Sequence, residues 1–136
     1  MWKGFFQKNI WAAGLGLTEQ AKKLTVQKMG PSYRFPAQLK THFDWVPDMD
    51  QAGTFLIGLQ EMLMQTRDSS IHLLPAWPDD WDVNFKMHAP YQTTVEGTVS
   101  GGKLTRLKVI PNNRIKDVMI GKDMHKPDGA IILRSR

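Results

Sequence analysis

Residues 42–78 read HFDWVPDMDQAGTFLIGLQEMLMQTRDSSIHLLPAWP, and the fold turns on them. The stretch holds an acidic, aromatic loop, an apolar helix, a polar turn and a short apolar run ending at proline. Asp48 and Asp50 are both competent helix caps, because a carboxylate accepts hydrogen bonds from the orphan N–H groups of a first turn. From Gly53 onward Phe55, Leu56, Leu59, Met62 and Leu63 recur at steps of three and four, which predicts a helix over about 53–65. Ile57 and Met64 widen its apolar face until the helix is apolar nearly all round. Such a helix needs neighbours on several sides. Gly53 and Gly58 cost it stability relative to alanine, which points to close packing against another backbone. Residues 66–70 (TRDSS) supply turn chemistry, and 71–74 (IHLL) read as a strand.

Upstream, residues 7–14 have helical spacing, with Ile10, Trp11 and Leu15 placed to share a face, and Gly14 and Gly16 break the run. Thr18 is then expected to cap a second helix, in which Ala21, Leu24, Thr25 and Met29 recur before Gly30-Pro31 ends it. Residues 32–47 carry two prolines and four aromatics, the composition of an irregular, site-forming loop. Downstream, Val83, Phe85 and Met87 alternate with Asn84, Lys86 and His88 as in a half-buried strand. Thr93, Val95 and Val99 continue the alternation around Gly97, and Ser100-Gly101-Gly102-Lys103 is a hairpin signal. Leu107 and Val109 are expected to face in while Arg106 and Lys108 face out. Ile115, Val118 and Ile120 suggest a further strand, and 130–133 an edge strand. Helices first and a small antiparallel sheet or sandwich second make an α+β protein, divided into a helical segment 1–68 with a loop at 31–50 and a β domain 69–136.

Composition narrows the classes. The chain has 136 residues, 41% hydrophobic and 23% charged, ordinary for a folded protein and enough for one domain or two small pieces. It holds no cysteine, so disulfides and thiolate metal sites are excluded. No apolar run suits a membrane span, and Lys8 and Asn9 interrupt any signal-peptide core. The net charge of +5 is uneven: residues 103–136 sum to +6 and residues 1–102 to −1. A basic tail invites a nucleic-acid reading. Stacking aromatics are missing from it, however, and many of its charges fall on alternate strand positions, as on a solvated sheet face. No nucleic-acid or membrane partner is expected.

QEMLMQ at 60–65 followed by IHLLPAWPDDW at 71–81 resembles a junction found in glycoside hydrolases with an (α/α)6 catalytic barrel. There the last barrel helix runs into a small β domain through a segment of the type EMLLQ…I-LLPA-P. The chain is similar in this to the inverting α-L-fucosidase family and related bacterial proteins of its clan. The likeness covers the organisation of residues 8–118 and is specific over 43–81. It implies a carbohydrate ligand, no cofactor, a barrel partner upstream or self-association in its place, and a parent often periplasmic or secreted. In that family the base-side aspartate lies in the loop before the EMLLQ-like helix. Counting back from Glu61 puts Asp50 there, or Asp48 if the loop differs in length. The family's F-Q-I-D-G-N-F-G-G is V-P-D-M-D-Q-A-G-T here.

Glycoside hydrolysis needs two carboxyl groups flanking the bond. The family's acid comes from an earlier barrel helix, and Glu19 is the only acid before residue 40. The chain therefore carries at most half of a hydrolytic pair, and Asp48 and Asp50 have helix capping as their other reading. Phe43, Trp45, Trp77 and Trp81 are candidates to stack on pyranose rings, with core or junction packing as the alternative. Metal binding is not expected. Residues 48–53 superficially match a calcium loop, but Ala52 and Leu59 stand at ligand positions, and the four histidines lack ligand spacing.

Overall fold

The computed structural model describes residues 7–29 and 50–133. Three helices, α1 (Lys8–Gly14), α2 (Thr18–Lys28) and α3 (Asp50–Leu63), precede six strands. These are β1 (Met64–Arg67), β2 (Ser70–Leu73), β3 (Val83–Ala89), β4 (Thr93–Ser100), β5 (Lys103–Ile110) and β6 (Val118–Ile120). The class is α+β, helices first. The strands form two three-stranded sheets, β1-β2-β6 and β3-β4-β5. All pairs are antiparallel except β2 with β6, which run parallel.

Helix α3 ends two residues earlier than its apolar spacing predicts, and the expected turn at 66–70 is mostly strand. The cause is competition for the helix's last carbonyls, which have no partner inside the helix. Leu74 N–H donates to Leu63 O at 2.7 Å and Ala76 N–H to Met62 O at 3.2 Å. The Gln65 side chain donates from Nε2 to Glu61 O at 2.9 Å and to Ala13 O at 2.8 Å. The hairpin that follows thus takes over the helix terminus, and the turn shrinks to Asp68-Ser69, with Asp68 at φ 51. This hairpin pairs Met64–Arg67 with Ser70–Leu73, so it straddles the expected boundary at 68/69.

The helices pack through small groups. Helix α1 buries Asn9, Ala12 and Ala13, while Trp11 and Leu15 are 60% and 73% exposed, which corrects the expected Ile10-Trp11-Leu15 face. Gly58 is where α1 meets α3: a Cβ there would lie 2.0 Å from Asn9 Nδ2. Asn9 in turn donates to Thr54 O at 2.8 Å. The cap expected at Thr18 is absent: Leu17 is the N-cap of α2, without a side-chain cap, and Thr18 Oγ1 is buried without a partner among the described residues. Ala21 and Thr25 are buried as their spacing predicts, and Met29 is exposed.

One core joins helices and sheets, from Ala12, Ala13, Ala21 and Met62 through Ile71 and Leu73 to Val95, Val99, Leu107, Val109 and Val118. The β4–β5 turn has Gly101 and Gly102 at φ 56 and 74, the left-handed pair that a two-residue hairpin needs. The Asp82 carboxylate pins it, accepting from Ser100 Oγ and Gly101 N–H at 2.9 Å each. A β-bulge at Thr98/Val99 lets Leu104, Leu107 and Val109 all face the core. Residues 112–117 form a 3-10 helix that contains Ile115, so the strand begins only at Val118. The expected edge strand at 130–133 is instead the 3-10 helix Gly129–Ile131 and one parallel bridge, Leu107 to Ile132. Among the described residues no helix is long and apolar enough to cross a membrane.

Candidate functional site

Phe43, Trp45 and Asp48 lie outside the described residues. Asp50 is the first residue of α3, and its side chain lies outside them too. The two remaining aromatics occupy the proline-bounded bend between β2 and β3. Trp77 is buried in the core, and its Nε1 donates to Trp81 O at 2.8 Å. The rings meet edge to face with centroids 5.6 Å apart, an arrangement that favours packing. Trp81 is half-buried, and Lys22 Nζ stands 5.9 Å from its ring centre. Lys22 also bonds the Asp80 carboxylate at 2.5 and 2.7 Å, which holds that carboxyl below the usual aspartate range. The pair ties α2 to the bend. Trp77 is thus a packing residue, and Trp81 shares its ring with a lysine.

The polar surface with room for a ligand lies elsewhere, along β3. Alternation sends Asn84, Lys86 and His88 outward, and the ladder sets their neighbours. Lys86 pairs across with Glu96, and Glu96 with Lys108; Asn84 pairs with Thr98, and Thr98 with Arg106. Lys86 Nζ lies 3.1 Å from Glu96 Oε1, and Thr98 Oγ1 donates to Asn84 Oδ1 at 2.8 Å. The Lys86 hydrogen bond, with weaker help from Lys108 and Arg106, keeps Glu96 below the ordinary glutamate range. Beneath this face Phe85 lies against Gly97, where a Cβ would come within 2.5 Å of the ring.

Two grooves meet at Lys86. One, of about 530 Å³, runs over this sheet face past Asn84, Glu96, Thr98, Arg106 and Lys108. The other, of about 350 Å³, lies between the end of α3 and β3, and holds Gln60, Glu61, Thr66 and His88 over Met64 and Met87. Burial at this junction pushes the Glu61 carboxyl above its ordinary range. Among the described residues each groove therefore has one carboxylate, Glu61 protonated more readily and Glu96 less readily than usual. Neither brings together the pair that glycoside hydrolysis requires. Among the described residues no group of three or more His, Asp or Glu side chains is placed to hold a metal ion.

None of Glu61, Lys86, Glu96, Arg106 or Lys108 stood out as a site residue in the sequence. Strand alternation marked the outward positions without saying which of them would become neighbours. No protein-family model, curated protein or solved structure matches this chain.

Proposed function

We propose that this chain is the closing piece of a carbohydrate-active enzyme of the (α/α)6-barrel type, inactive as a hydrolase by itself. The observation that carries the reading is the set of large apolar side chains that the three helices expose among the described residues. Trp11, Leu15, Val26, Met29, Leu56 and Ile57 are each about half or more exposed, whereas the core shared with the sheets is closed. Helices that share a closed core and still expose large apolar groups are what one expects of helices that pack against further helices. The junction supports the same reading, since α3 runs into β1 without an intervening residue.

A second reading, a carbohydrate-binding module without catalysis, is favoured by the continuous polar surface centred on Lys86. Sedimentation and glycosidase assays on the isolated chain test both. The first reading expects self-association at micromolar concentration and no turnover of aryl glycosides. Proton donation alone typically supplies about 10²–10⁴-fold, and among the described residues no groove holds a donor opposite a base. A monodisperse monomer that binds no apolar dye would refute the barrel-closing reading. Turnover that survives Asp48→Asn and Asp50→Asn but is lost in Glu61→Gln would refute the account of the site.

A further inference from the structure

We infer that the outer face of β3-β4-β5 is a binding surface for acidic glycans, chains whose sugars carry uronate carboxylates. The inference rests on the carbohydrate reading above and names the ligand class. Its basis is the register. Lys86, Glu96 and Lys108 form one cross-strand row, and Asn84, Thr98 and Arg106 form the next. Adjacent strands lie about 4.8 Å apart, and alternate residues on one strand about 7 Å apart. Lys108 and Arg106 are therefore within about one Debye length of each other at physiological salt, and their fields add at a bound anion. Three cations surround one carboxylate, so the face is net positive.

The side chains divide the work that an acidic sugar demands. Arg106 offers a planar fork matched to a carboxylate, and the two lysines add point charges. Thr98 and Asn84 are already bonded to each other through the amide oxygen, which leaves the Asn84 N–H groups as donors to sugar hydroxyls. The face also lacks something. Among the described residues its only aromatic neighbour, Phe85, lies against Gly97 under the strand and lines the groove as part of its floor. Neutral sugars are commonly held on exposed aromatic rings, and single-stranded nucleic acid on stacked bases. A charged, hydrogen-bonding surface without a platform suits a polyanion that has no bases.

Glu96 gives the sign of the test. In an acidic-glycan site it repels the ligand and occupies Lys86, so Glu96→Gln should tighten binding. In a neutral-glycan site it would accept hydrogen bonds from hydroxyls, and the same change should weaken binding. The full chain would be titrated with oligogalacturonate, with a neutral oligosaccharide of equal length, and with a single-stranded DNA oligonucleotide. Oligogalacturonate should bind best. Arg106→Gln/Lys108→Gln should weaken it at least tenfold, Glu96→Gln should tighten it about threefold, and Lys23→Gln/Lys122→Gln should change it less than twofold. All these positions are on the surface, and circular dichroism checks that each variant is folded.

Preference for the neutral sugar, tighter binding of DNA, or equal loss in both double variants would each overturn the proposal. Absence of glycan binding in a chain that still self-associates would overturn it and leave the barrel-closing reading standing. Site-dependent binding by a strict monomer would uphold this surface and remove that reading.

Discussion

Replacing Gly58 with alanine sets helix propensity against packing, and the structure says which wins. In an exposed helix the change stabilises by about 1 kcal/mol. Here the added methyl would sit 2.0 Å from Asn9 Nδ2 and 2.9 Å from its Cγ. Asn9 is fully buried, its Nδ2 bonds Thr54 O, and its Oδ1 has no partner among the described residues, so moving aside for the methyl sacrifices the hydrogen bond it makes. Overpacking of this kind costs about 1–3 kcal/mol. Losing the amide's hydrogen bond in the interior costs about another 1–3 kcal/mol. The net expectation is destabilisation of about 3 kcal/mol, read by urea unfolding at one fixed protein concentration. Asn9→Ala removes the obstruction, so the double variant should recover at least about 1 kcal/mol relative to the sum of the single changes. A Gly58→Ala protein that gains stability, or a double variant with no coupling, would refute the close approach of α1 to α3.

Two further outcomes concern the β half. Gly102→Ala should destabilise by about 1–2 kcal/mol from its left-handed backbone alone, with more from Asp79, whose Cα would lie 3.1 Å from the new Cβ. Gly101→Asn should be close to neutral when both variants are compared by thermal melts, because its Cβ meets nothing and asparagine tolerates that conformation. The glutamates at the grooves should titrate in opposite directions by NMR. Glu61 is raised when folded, so the native state binds its proton first, and stability falls as pH rises from the ordinary glutamate value through the raised one. Glu61→Gln should remove that slope. Glu96 is lowered, so its contribution is complete above the ordinary glutamate value and is lost as pH falls through the folded one. A Glu96 midpoint at or above that of Glu61 would contradict both assignments.

Local patterning made much of the β half legible. The alternation at 83–88 and the Gly101-Gly102 turn are both present. Even the bulge has a signature: Leu104 to Leu107 is a step of three among core positions that otherwise step by two, which leaves Thr105 and Arg106 both outside. That extra residue puts Lys108, rather than Leu107, opposite Glu96 and so builds the charged row. The row was illegible because charge on a strand reads as solvation until the register is known. The helical half was read less well for a related reason. Large residues were expected to mark the packed face, but α1 packs through Asn9, Ala12 and Ala13 because a close helix approach needs small groups. At 64–65 helical spacing continued past the real end of α3, since the partners that claim its carbonyls come from Gln65, Leu74 and Ala76.

The parallel pairing of β2 with β6 also bears on how the chain is made. Strand β2 carries Ile71 and Leu73, both fully buried once folded, and β6 covers its second edge. All of β3, β4 and β5 is translated between them. At about 5–20 residues per second, the roughly 45 intervening residues leave that edge bare for about 2–9 seconds on the ribosome. An unpaired apolar edge is a template for other chains. The nascent protein therefore passes through a window in which it is open to chaperones and to aggregation, and that window closes only when Val118–Ile120 emerges.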